Sequence, residues 1–322
     1  MKAIEKLREV TKTLKISGIE HAEKEAEMLL RHSLDFSAIE IYRDNPELSE
    51  RHIKTVERVL ERRCRREPFQ YITGYVDFFG QKLLVGSAVL IPRPETELMA
   101  EQAIKTVTSE QLSVNSKNNN PSLVTTRLNS PKSRHSSLII LDICTGCGCL
   151  ALALAKEFPE AQVYGSDKSD AAIGYAKKNA EINGIKNVTF LTGSLFEPLE
   201  KLSNPRPEFG SKAVNCQLLT FDLIISNPPY VKTDDIQFLQ PEIKDWEPVS
   251  SLDGGSDGLD FYRELIPSAR HFLKNEGLLM VETGAGQSCA VTDIMESSEY
   301  KHIEIIKDYA GIERIILARW KR

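Results

Sequence analysis

The sequence lacks a long hydrophobic run and any excess of positive charge. No stretch of its 322 residues approaches the length of a membrane span, so we expect no transmembrane helix. The formal net charge of -5 argues against a general nucleic-acid binder, because such proteins normally carry a basic surface. Residues 1–10 contain Glu5 and Glu9 among their lysines, which disfavours a secretory or organelle-targeting peptide. These absences predict a cytoplasmic protein without a membrane partner.

Cysteine is scarce outside one short stretch. Three of the six cysteines, Cys144, Cys147 and Cys149, lie too close together for an ordinary disulfide framework, which fits a reducing compartment. The cluster suggests metal or redox chemistry as an alternative. However, no second cluster of cysteine or histidine residues supplies the remaining ligands of a zinc site. We therefore predict no bound metal.

Residues 1–68 are predicted to form a small helical domain that recognises the substrate. Apolar residues recur at helical spacing in the first segment: Ile4, Leu7, Val10 and Leu14. Gly18 ends that segment, and Ser49 is a candidate N-cap for a long third helix. By spacing, the third helix places Arg58, Arg62 and Arg66 on one face. That face could meet an acidic partner or an RNA backbone, or it could simply be solvated.

Residues 69–90 are predicted to be a β-hairpin that links two domains. The period changes to that of strands at residues 69–74, 76–79 and 82–85, with a turn at Gly80. Beyond the linker, two prolines fix an extended approach to a helix that runs to about residue 107. Residues 109–137 are rich in Ser, Asn, Lys and Pro without periodicity, which predicts a flexible insertion.

Residues 91–322 are predicted to form one α/β domain. Apolar strand candidates alternate with helical patterns and occur at residues 138–142, 162–167, 188–192, 221–227, 277–283, 302–308 and 313–320. This alternation predicts a Rossmann-like, mostly parallel sheet of seven strands. A second irregular stretch, residues 204–217, is predicted to be a surface loop. The last two strands resemble the terminal antiparallel pair of the methyltransferase version of this fold.

A glycine-containing loop follows the first strand of this domain. It reads Asp142-Ile143-Cys144-Thr145-Gly146-Cys147-Gly148, and its glycines let the backbone approach a ligand closely. Asp167 ends the next strand, where such folds place the acid that binds a ribose diol. The loop and the acid together suit NAD, FAD or S-adenosylmethionine equally well.

The tetrapeptide Asn227-Pro228-Pro229-Tyr230 decides between these cofactors. The prolines end a strand, so Asn227 emerges at the carboxyl edge of the sheet. The Asn227 side chain and the Pro228 carbonyl can present two fixed acceptors to a planar amino group, and Tyr230 adds an aromatic face. The tetrapeptide resembles the signature of S-adenosylmethionine-dependent methyltransferases that modify such amino groups in adenine or glutamine. A strand that ends in a proline-rich turn is the structural alternative.

Several stretches together resemble the bacterial peptide chain release factor glutamine methyltransferases, the HemK family. They are residues 66–74 (REPFQYITG), 90–97 (LIPRPETE), 227–230 (NPPY) and 252–260 (LDGGSDGLD). The resemblance implies transfer of a methyl group from S-adenosylmethionine to the side-chain amide nitrogen (N5) of the glutamine in the Gly-Gly-Gln motif of class 1 release factors. This reaction would support translation termination.

The resemblance also implies a role for particular residues. By position, the cofactor would be held by Cys144, Thr145, Gly146, Cys147, Gly148, Asp167, Leu195 and Asn227. The substrate glutamine would be held by Asn227, Pro228, Pro229 and Tyr230, with Asn227 and Pro228 as the catalytic residues. The sequence departs from the family pattern at Cys144, where relatives have glycine, and at Ser194, where they have an acid. If Cys144 needs a positive φ, its Cβ costs roughly 1–2 kcal/mol.

Three other functions remain open at this point. Methylation of DNA adenine would need a basic cleft or a target-recognition domain, and neither is visible in an acidic chain. Ribosomal-protein glutamine methylation uses the same chemistry and is disfavoured only by residues 93–97. The changes at Cys144 and Ser194 could instead mark a non-catalytic protein that docks on a release factor. We expect a monomeric enzyme without a DNA partner.

Overall fold

The computed structural model describes residues 1–117, 138–203 and 219–322; for residues 110–117 it describes the backbone only. The helices are α1 (Ala3–Ile16), α2 (Ala22–Leu34), α3 (Glu50–Cys64), α4 (Phe69–Thr73), α5 (Pro94–Lys117), α6 (Cys149–Glu157), α7 (Asp170–Ile182), α8 (Glu197–Ser203), α9 (Pro241–Lys244), α10 (Asp260–Phe272) and α11 (Ser288–Ser297). The strands are β1 (Tyr75–Phe78), β2 (Gln81–Leu84), β3 (Ile139–Ile143), β4 (Gln162–Asp167), β5 (Val188–Thr192), β6 (Phe221–Ser226), β7 (Leu273–Glu282), β8 (Lys301–Lys307) and β9 (Glu313–Arg319). Within the described ranges no helix combines the length and the apolar character that crossing a bilayer requires.

The chain divides into two units, one of residues 1–75 with 238–247 and one of residues 76–237 with 248–322. The predicted boundary near residue 68 therefore moves to residue 75. The first unit also gains a segment from the middle of the predicted 91–322 domain. Its core consists of the apolar faces of α1, α2 and α3, whose periodicity was apparent in the sequence. Ser49 caps α3 as predicted, because its side chain accepts the backbone N–H of His52 at 3.2 Å.

Arginines of α3 and of the residues just after it form ion pairs within the first unit. Arg66 lies beyond the end of α3 and has φ +65°, so the prediction that it shares a helix face with Arg58 and Arg62 is wrong. Arg63 is buried, and its guanidinium lies 2.6 Å from Glu25 and 2.9 Å from Glu242. Arg66 contacts the other carboxylate oxygen of Glu242 at 2.8 Å. Arg62 pairs with Glu67. Two members of the predicted arginine face therefore have partners inside the unit, which a purely solvated face would not provide.

The prediction of a strand at residues 69–74 is wrong, because these residues form α4. The carbonyl of Pro68 accepts the N–H groups of Tyr71 and Ile72, which starts a helical turn. Gly74, at φ +82°, ends it. Ile72 completes the core of the first unit, so tertiary packing overrides the strand propensity of this apolar stretch.

The hairpin itself is confirmed and consists of β1 and β2, joined at Gly80. Asn179 of α7 is fully buried and anchors its second strand. The Asn179 side chain accepts the N–H of Leu84 at 2.7 Å and donates to the Leu84 carbonyl at 3.1 Å. It also donates to the carbonyl of Cys147 at 2.9 Å. The hairpin is thereby tied to the glycine-containing loop of the second unit.

Helix α5 continues beyond its predicted end near residue 107 and reaches Lys117. The first part of the predicted insertion, residues 109–117, is therefore helical. The rest of the predicted insertion, residues 118–137, and the predicted loop at 204–217 lie outside the described residues.

The second unit contains the predicted seven-stranded sheet, with strand order β5-β4-β3-β6-β7-β9-β8. The first five strands in this order are parallel, and β9 is antiparallel to both β7 and β8. The central strands are buried on both faces and read as continuous apolar runs. From β3 the chain builds outward to one side through β4 and β5, and to the other through β6 and β7. The connections therefore reverse direction between the neighbouring strands β3 and β6, and α/β sheets bind ligands at such a topological switch point.

The strand register aligns four residues in one row across the sheet: Ser166, Ile143, Ser226 and Val281. Ser226 also donates a side-chain hydrogen bond to the Ile143 carbonyl at 2.7 Å. Because these strands are parallel, the residue that follows each of the four lies at the same carboxyl edge of the sheet.

Candidate active site

The next row contains the polar residues of the site: Asp167, Cys144, Asn227 and Glu282. The sequence predicted the first three, whose strand-end positions the motifs indicate. Glu282 was missed, although it is the last residue of β7 and follows a buried apolar run. The signal that could have found it is its position at the end of the strand next to β6.

A cavity of about 260 Å³ lies at this edge, which is room for several water molecules of roughly 30 Å³ each. Its lining includes Cys144, Gly146, Asp167, Leu195 and Asn227 from the predicted set. Pro229 also lines it. The structure adds residues 87–90, 248 and 250–251, together with Phe261, none of which was predicted. Five of the eight predicted cofactor residues therefore border one cavity, whereas Thr145, Cys147 and Gly148 are not among its lining residues.

Asp142 braces the glycine-containing loop. Its carboxylate accepts the Thr145 hydroxyl at 2.6 Å and the Ala151 N–H at 3.1 Å, so it holds the loop against the start of α6. Asp142 is buried, and burial raises its pKa to about 7 against the opposing effect of these hydrogen bonds. Thr145 is buried with it and also donates its N–H to the Ser166 carbonyl at 3.0 Å.

Cys144 adopts a left-handed backbone conformation, which is the conformation in which its Cβ is expected to be strained. Its φ is +59°, while Gly146 and Gly148 have φ values of +55° and +89°. Cys144 is thus a non-glycine residue at one of three positive-φ positions in the loop. Burial, followed by the nearby carboxylates of Asp167 and Asp142, raises the pKa of the Cys144 thiol. A neutral thiol is a weak nucleophile and a poor metal ligand.

Asp167 stands at the end of β4 with its carboxylate held in place by backbone groups. One oxygen accepts the Gly146 N–H at 2.9 Å and the other accepts the Ser169 N–H at 2.9 Å. Burial raises the pKa of Asp167, and these two hydrogen bonds lower it again in part. Leu195, at φ +44°, also lines the cavity. Its carbonyl accepts a hydrogen bond from the Ser166 hydroxyl, which fixes its position.

Asn227 is oriented by a chain of side-chain hydrogen bonds. Its amide nitrogen donates to the Thr96 hydroxyl at 3.0 Å. That hydroxyl donates to one carboxylate oxygen of Glu282 at 2.8 Å, and the other oxygen accepts the Tyr230 hydroxyl at 3.3 Å. Thr96 lies in the first turn of α5, within the family-like stretch 90–97, but the sequence predicted no role for it.

Glu282 is buried, with 1% of its surface exposed. Burial raises its pKa to about 7, and the negative charge of Glu95 acts in the same direction. The hydrogen bonds from Thr96 and Tyr230 and the positive charge of Arg314 act in the opposite direction. Glu282 therefore titrates near neutrality inside the site.

The glycine-rich stretch 252–260 pins the tetrapeptide from outside. Val231 donates its N–H to the Leu252 carbonyl at 2.9 Å, and Gly254 donates to the Val231 carbonyl at 2.8 Å. The side chain of Gln287 donates to the Tyr230 carbonyl at 2.9 Å. The backbone is therefore fixed at Tyr230 and Val231, at the C-terminal end of the tetrapeptide, and residues 252–260 supply part of that support.

Tyr230 has a second contact that the sequence did not indicate. Its ring packs against the core of the second unit, and its hydroxyl binds Glu282. Tyr230 and Pro228 are not among the residues that line the cavity, although Asn227 and Pro229 are. The expectation that the Tyr230 ring supports a planar group remains a prediction.

Comparisons with known proteins agree with this architecture. Residues 5–74 match the PrmC N-terminal domain, and residues 134–316 match a methyltransferase domain. The release factor glutamine methyltransferase of Thermodesulfovibrio yellowstonii is 40% identical over 98% of this chain and 98% of its own length. The enzyme of the same name from Geobacter sulfurreducens is 38% identical over 94% of this chain and 91% of its own.

Among solved structures, the release factor-specific protein-(glutamine-N5) methyltransferase of Alicyclobacillus acidocaldarius is 22% identical. The alignment covers 72% of this chain and 95% of that one, with a TM-score of 0.37.

The sheet order, the loop after β3 and the matched domain define the chain as a methyltransferase of the α/β class. At 40% identity over nearly its whole length, it belongs to the release factor glutamine methyltransferase family. The resemblance drawn from residues 66–74, 90–97, 227–230 and 252–260 is thereby confirmed.

Proposed function

We propose that this protein methylates the side-chain amide nitrogen of the glutamine in the Gly-Gly-Gln motif of class 1 release factors, with S-adenosylmethionine as the methyl donor. Its relatives of 40% and 38% identity are named release factor glutamine methyltransferases. The observation that carries the proposal is the position of Asn227. Its side chain lies at the carboxyl end of β6, borders the same cavity as Asp167, and is tethered by its nitrogen.

The residues of the cavity fit S-adenosylmethionine. Asp167 would offer carboxylate lone pairs to a ribose diol, and the positive-φ loop at Cys144 and Gly146 would let the backbone approach the cofactor. Leu195 and Phe261 offer apolar surface for the adenine. The cofactor supplies a methyl group on a positively charged sulfur.

The protein's contribution to the reaction is to hold the substrate amide. An amide nitrogen is a poor nucleophile because its lone pair is delocalised into the carbonyl. Asn227 Oδ1 accepts one N–H of the incoming carboxamide, and the Pro228 carbonyl accepts the other. Pro229 has no N–H to compete for a nearby carbonyl. The two acceptors orient the nitrogen and stabilise the positive charge that develops on it as it gains a methyl group. The surplus proton of the nitrogen then passes to water, which leaves a neutral methylated amide.

Replacing Asn227 with alanine tests this arrangement. The expected result is a loss of about 10²-fold or more in the single-turnover rate with a class 1 release factor and labelled cofactor, with cofactor binding retained in part. Asn275→Ala is the matched control, because Asn275 is exposed in β7 at the opposite edge of the sheet. Equal rates for Asn227→Ala and the parent enzyme would contradict the mechanism.

The same assay separates the possible substrates. A release factor whose Gly-Gly-Gln glutamine gains one methyl group supports the proposal. Preferred labelling of a ribosomal protein or of DNA would overturn it, and no transfer to any of the three would favour a non-catalytic docking protein.

We also propose that the enzyme is a monomer in the cytoplasm and has no DNA partner. The net charge of -5 disfavours DNA binding. Light scattering on the purified chain measures the oligomeric state, and a stable dimer at micromolar concentration would contradict the expectation.

A further inference from the structure

We propose that Thr96 and Glu282 are positioning residues that fix which end of the Asn227 carboxamide faces the substrate. This inference rests on the proposed function, because it concerns how Asn227 comes to act as an acceptor. The two ends of a carboxamide have nearly the same shape and differ only in whether they donate or accept a hydrogen bond. Something outside Asn227 must therefore choose the orientation.

The choice follows from the direction of the hydrogen-bond chain. Above its pKa Glu282 is ionised, and because a carboxylate can only accept, the Thr96 hydroxyl donates its proton to it at 2.8 Å. That hydroxyl has one proton and, once it is given to Glu282, only lone pairs remain for Asn227. The amide nitrogen of Asn227 therefore turns toward Thr96, at 3.0 Å. The oxygen is left as the end that can face the cavity.

Burial makes this chain an effective constraint. Thr96 and Glu282 are each 1% exposed, so water does not compete for their hydrogen bonds. The Tyr230 hydroxyl occupies the second carboxylate oxygen of Glu282. The backbone carbonyl of Glu282 is also held, because the buried Tyr262 hydroxyl donates to it at 2.7 Å. Glu282 therefore has a fixed position from which to orient Thr96.

The orientation matters because a reversed amide would oppose the substrate. With Asn227 turned over, its NH₂ group would face the NH₂ group of the substrate glutamine, and two donors would meet. The fold would be unchanged but the substrate nitrogen would lose one acceptor. Breaking this hydrogen-bond chain should therefore lower kcat, with only small effects on the free energy of unfolding and on cofactor affinity.

The principal test compares Thr96→Val with Thr96→Ser. Valine has the shape of threonine without the hydroxyl, whereas serine keeps the hydroxyl. We expect Thr96→Val to lower kcat roughly 10-fold or more, a smaller loss than removal of Asn227 itself. Thr96→Ser should restore most of the rate. If both variants turn over like the parent enzyme, the inference fails.

A double-mutant cycle distinguishes positioning from a general structural effect. If Thr96 acts through Asn227, adding Thr96→Val to Asn227→Ala should cost little further rate. Losses that multiply would show that Thr96 acts independently, which would overturn the inference.

A readout without the cofactor avoids dependence on turnover. In ¹⁵N NMR spectra of the cofactor-free protein, the Asn227 side-chain NH₂ should show slow hydrogen exchange in the parent and fast exchange in Thr96→Val. Glu282→Gln, which is isosteric, gives a second probe. A glutamine NH₂ can donate to Thr96 and release its proton toward Asn227 Oδ1, so exchange should again be fast. Unchanged exchange in both variants would contradict the hydrogen-bond chain.

Failure of the two proposals can be told apart. If the parent enzyme does not methylate a release factor, the proposed function fails, while the exchange experiment still tests the orientation of Asn227. If the parent is active and Thr96→Val matches it, only the positioning role fails.

Discussion

Adding one methyl group at Gly254 should distort the tetrapeptide that we propose holds the substrate. A Cβ at Gly254 would lie 2.8 Å from the Pro229 carbonyl oxygen, 2.8 Å from Tyr230 Cα and 2.9 Å from the Gly258 carbonyl oxygen. All three are backbone atoms, which cannot move aside as a flexible side chain could. Overpacking of this kind costs typically about 1–3 kcal/mol. We expect Gly254→Ala to lower the free energy of unfolding by that amount.

Two of these three atoms belong to Pro229 and Tyr230, which follow Asn227, so activity should fall as well. Single-turnover methylation should decrease roughly 10-fold or more, because small displacements of a positioning group are costly. Titration calorimetry should show near-parental affinity for S-adenosylmethionine, because neither Asp167 nor the loop after β3 is among the atoms nearest to the added Cβ.

Gly174→Ala is the matched control for this substitution. Gly174 lies inside α7, and an added Cβ there has no heavy atom within 4 Å apart from its own chain neighbours and helix backbone. Alanine in a helix interior is favoured over glycine by roughly 0.5–1 kcal/mol, so this variant should be more stable than the parent. Urea denaturation measures both. The reasoning would be refuted if Gly254→Ala were as stable and as active as the parent enzyme.

Three further predictions follow from buried or strained groups. Cys144→Gly removes a Cβ at φ +59° and should tighten binding of S-adenosylmethionine by up to about 1–2 kcal/mol. Unchanged or weaker affinity in calorimetry would show that Cys144 is not strained. Arg63→Ala leaves Glu25 without this partner and Glu242 with Arg66 alone, so it should lower the free energy of unfolding in urea by about 3 kcal/mol, the lower end of the range for breaking a buried pair. A loss below about 1 kcal/mol would mean that the pairs contribute little. Burial raises the pKa of Asp142 from 3.8 to about 7. Its contribution to stability is therefore fully present below pH 3.8 and is lost as the pH rises from there through 7. Asp142→Asn should flatten the pH dependence of stability over this range, and an unchanged slope would contradict the prediction.

The sheet and part of the site could be predicted because their signals are local. Apolar runs mark each strand, and the prolines after Asn227 stop β6 at a defined point. Asp167 and Cys144 likewise sit at strand ends that the pattern locates. Parallel strands share a carboxyl edge, so these strand ends meet without further information.

The errors arose where distant residues decide a local structure. Residues 69–74 have the composition of a strand, but the Pro68 carbonyl starts a helical turn and the core of the first unit accepts Ile72. The segment 238–247 joins the first unit, where Glu242 pairs with Arg63 and Arg66. No local pattern in either segment contains that information.

The proposed substrate site also depends partly on local sequence and partly on distant residues. The tetrapeptide specifies that a carboxamide stands at the end of β6, but it does not specify whether the oxygen or the nitrogen faces the cavity. Thr96 comes from the start of α5 and Glu282 from the end of β7, and they meet Asn227 only because the sheet places β7 beside β6. A protein that kept the tetrapeptide but lost this hydrogen-bond chain would keep the motif without a fixed acceptor. Recognition of an amide therefore depends on residues that the motif does not contain.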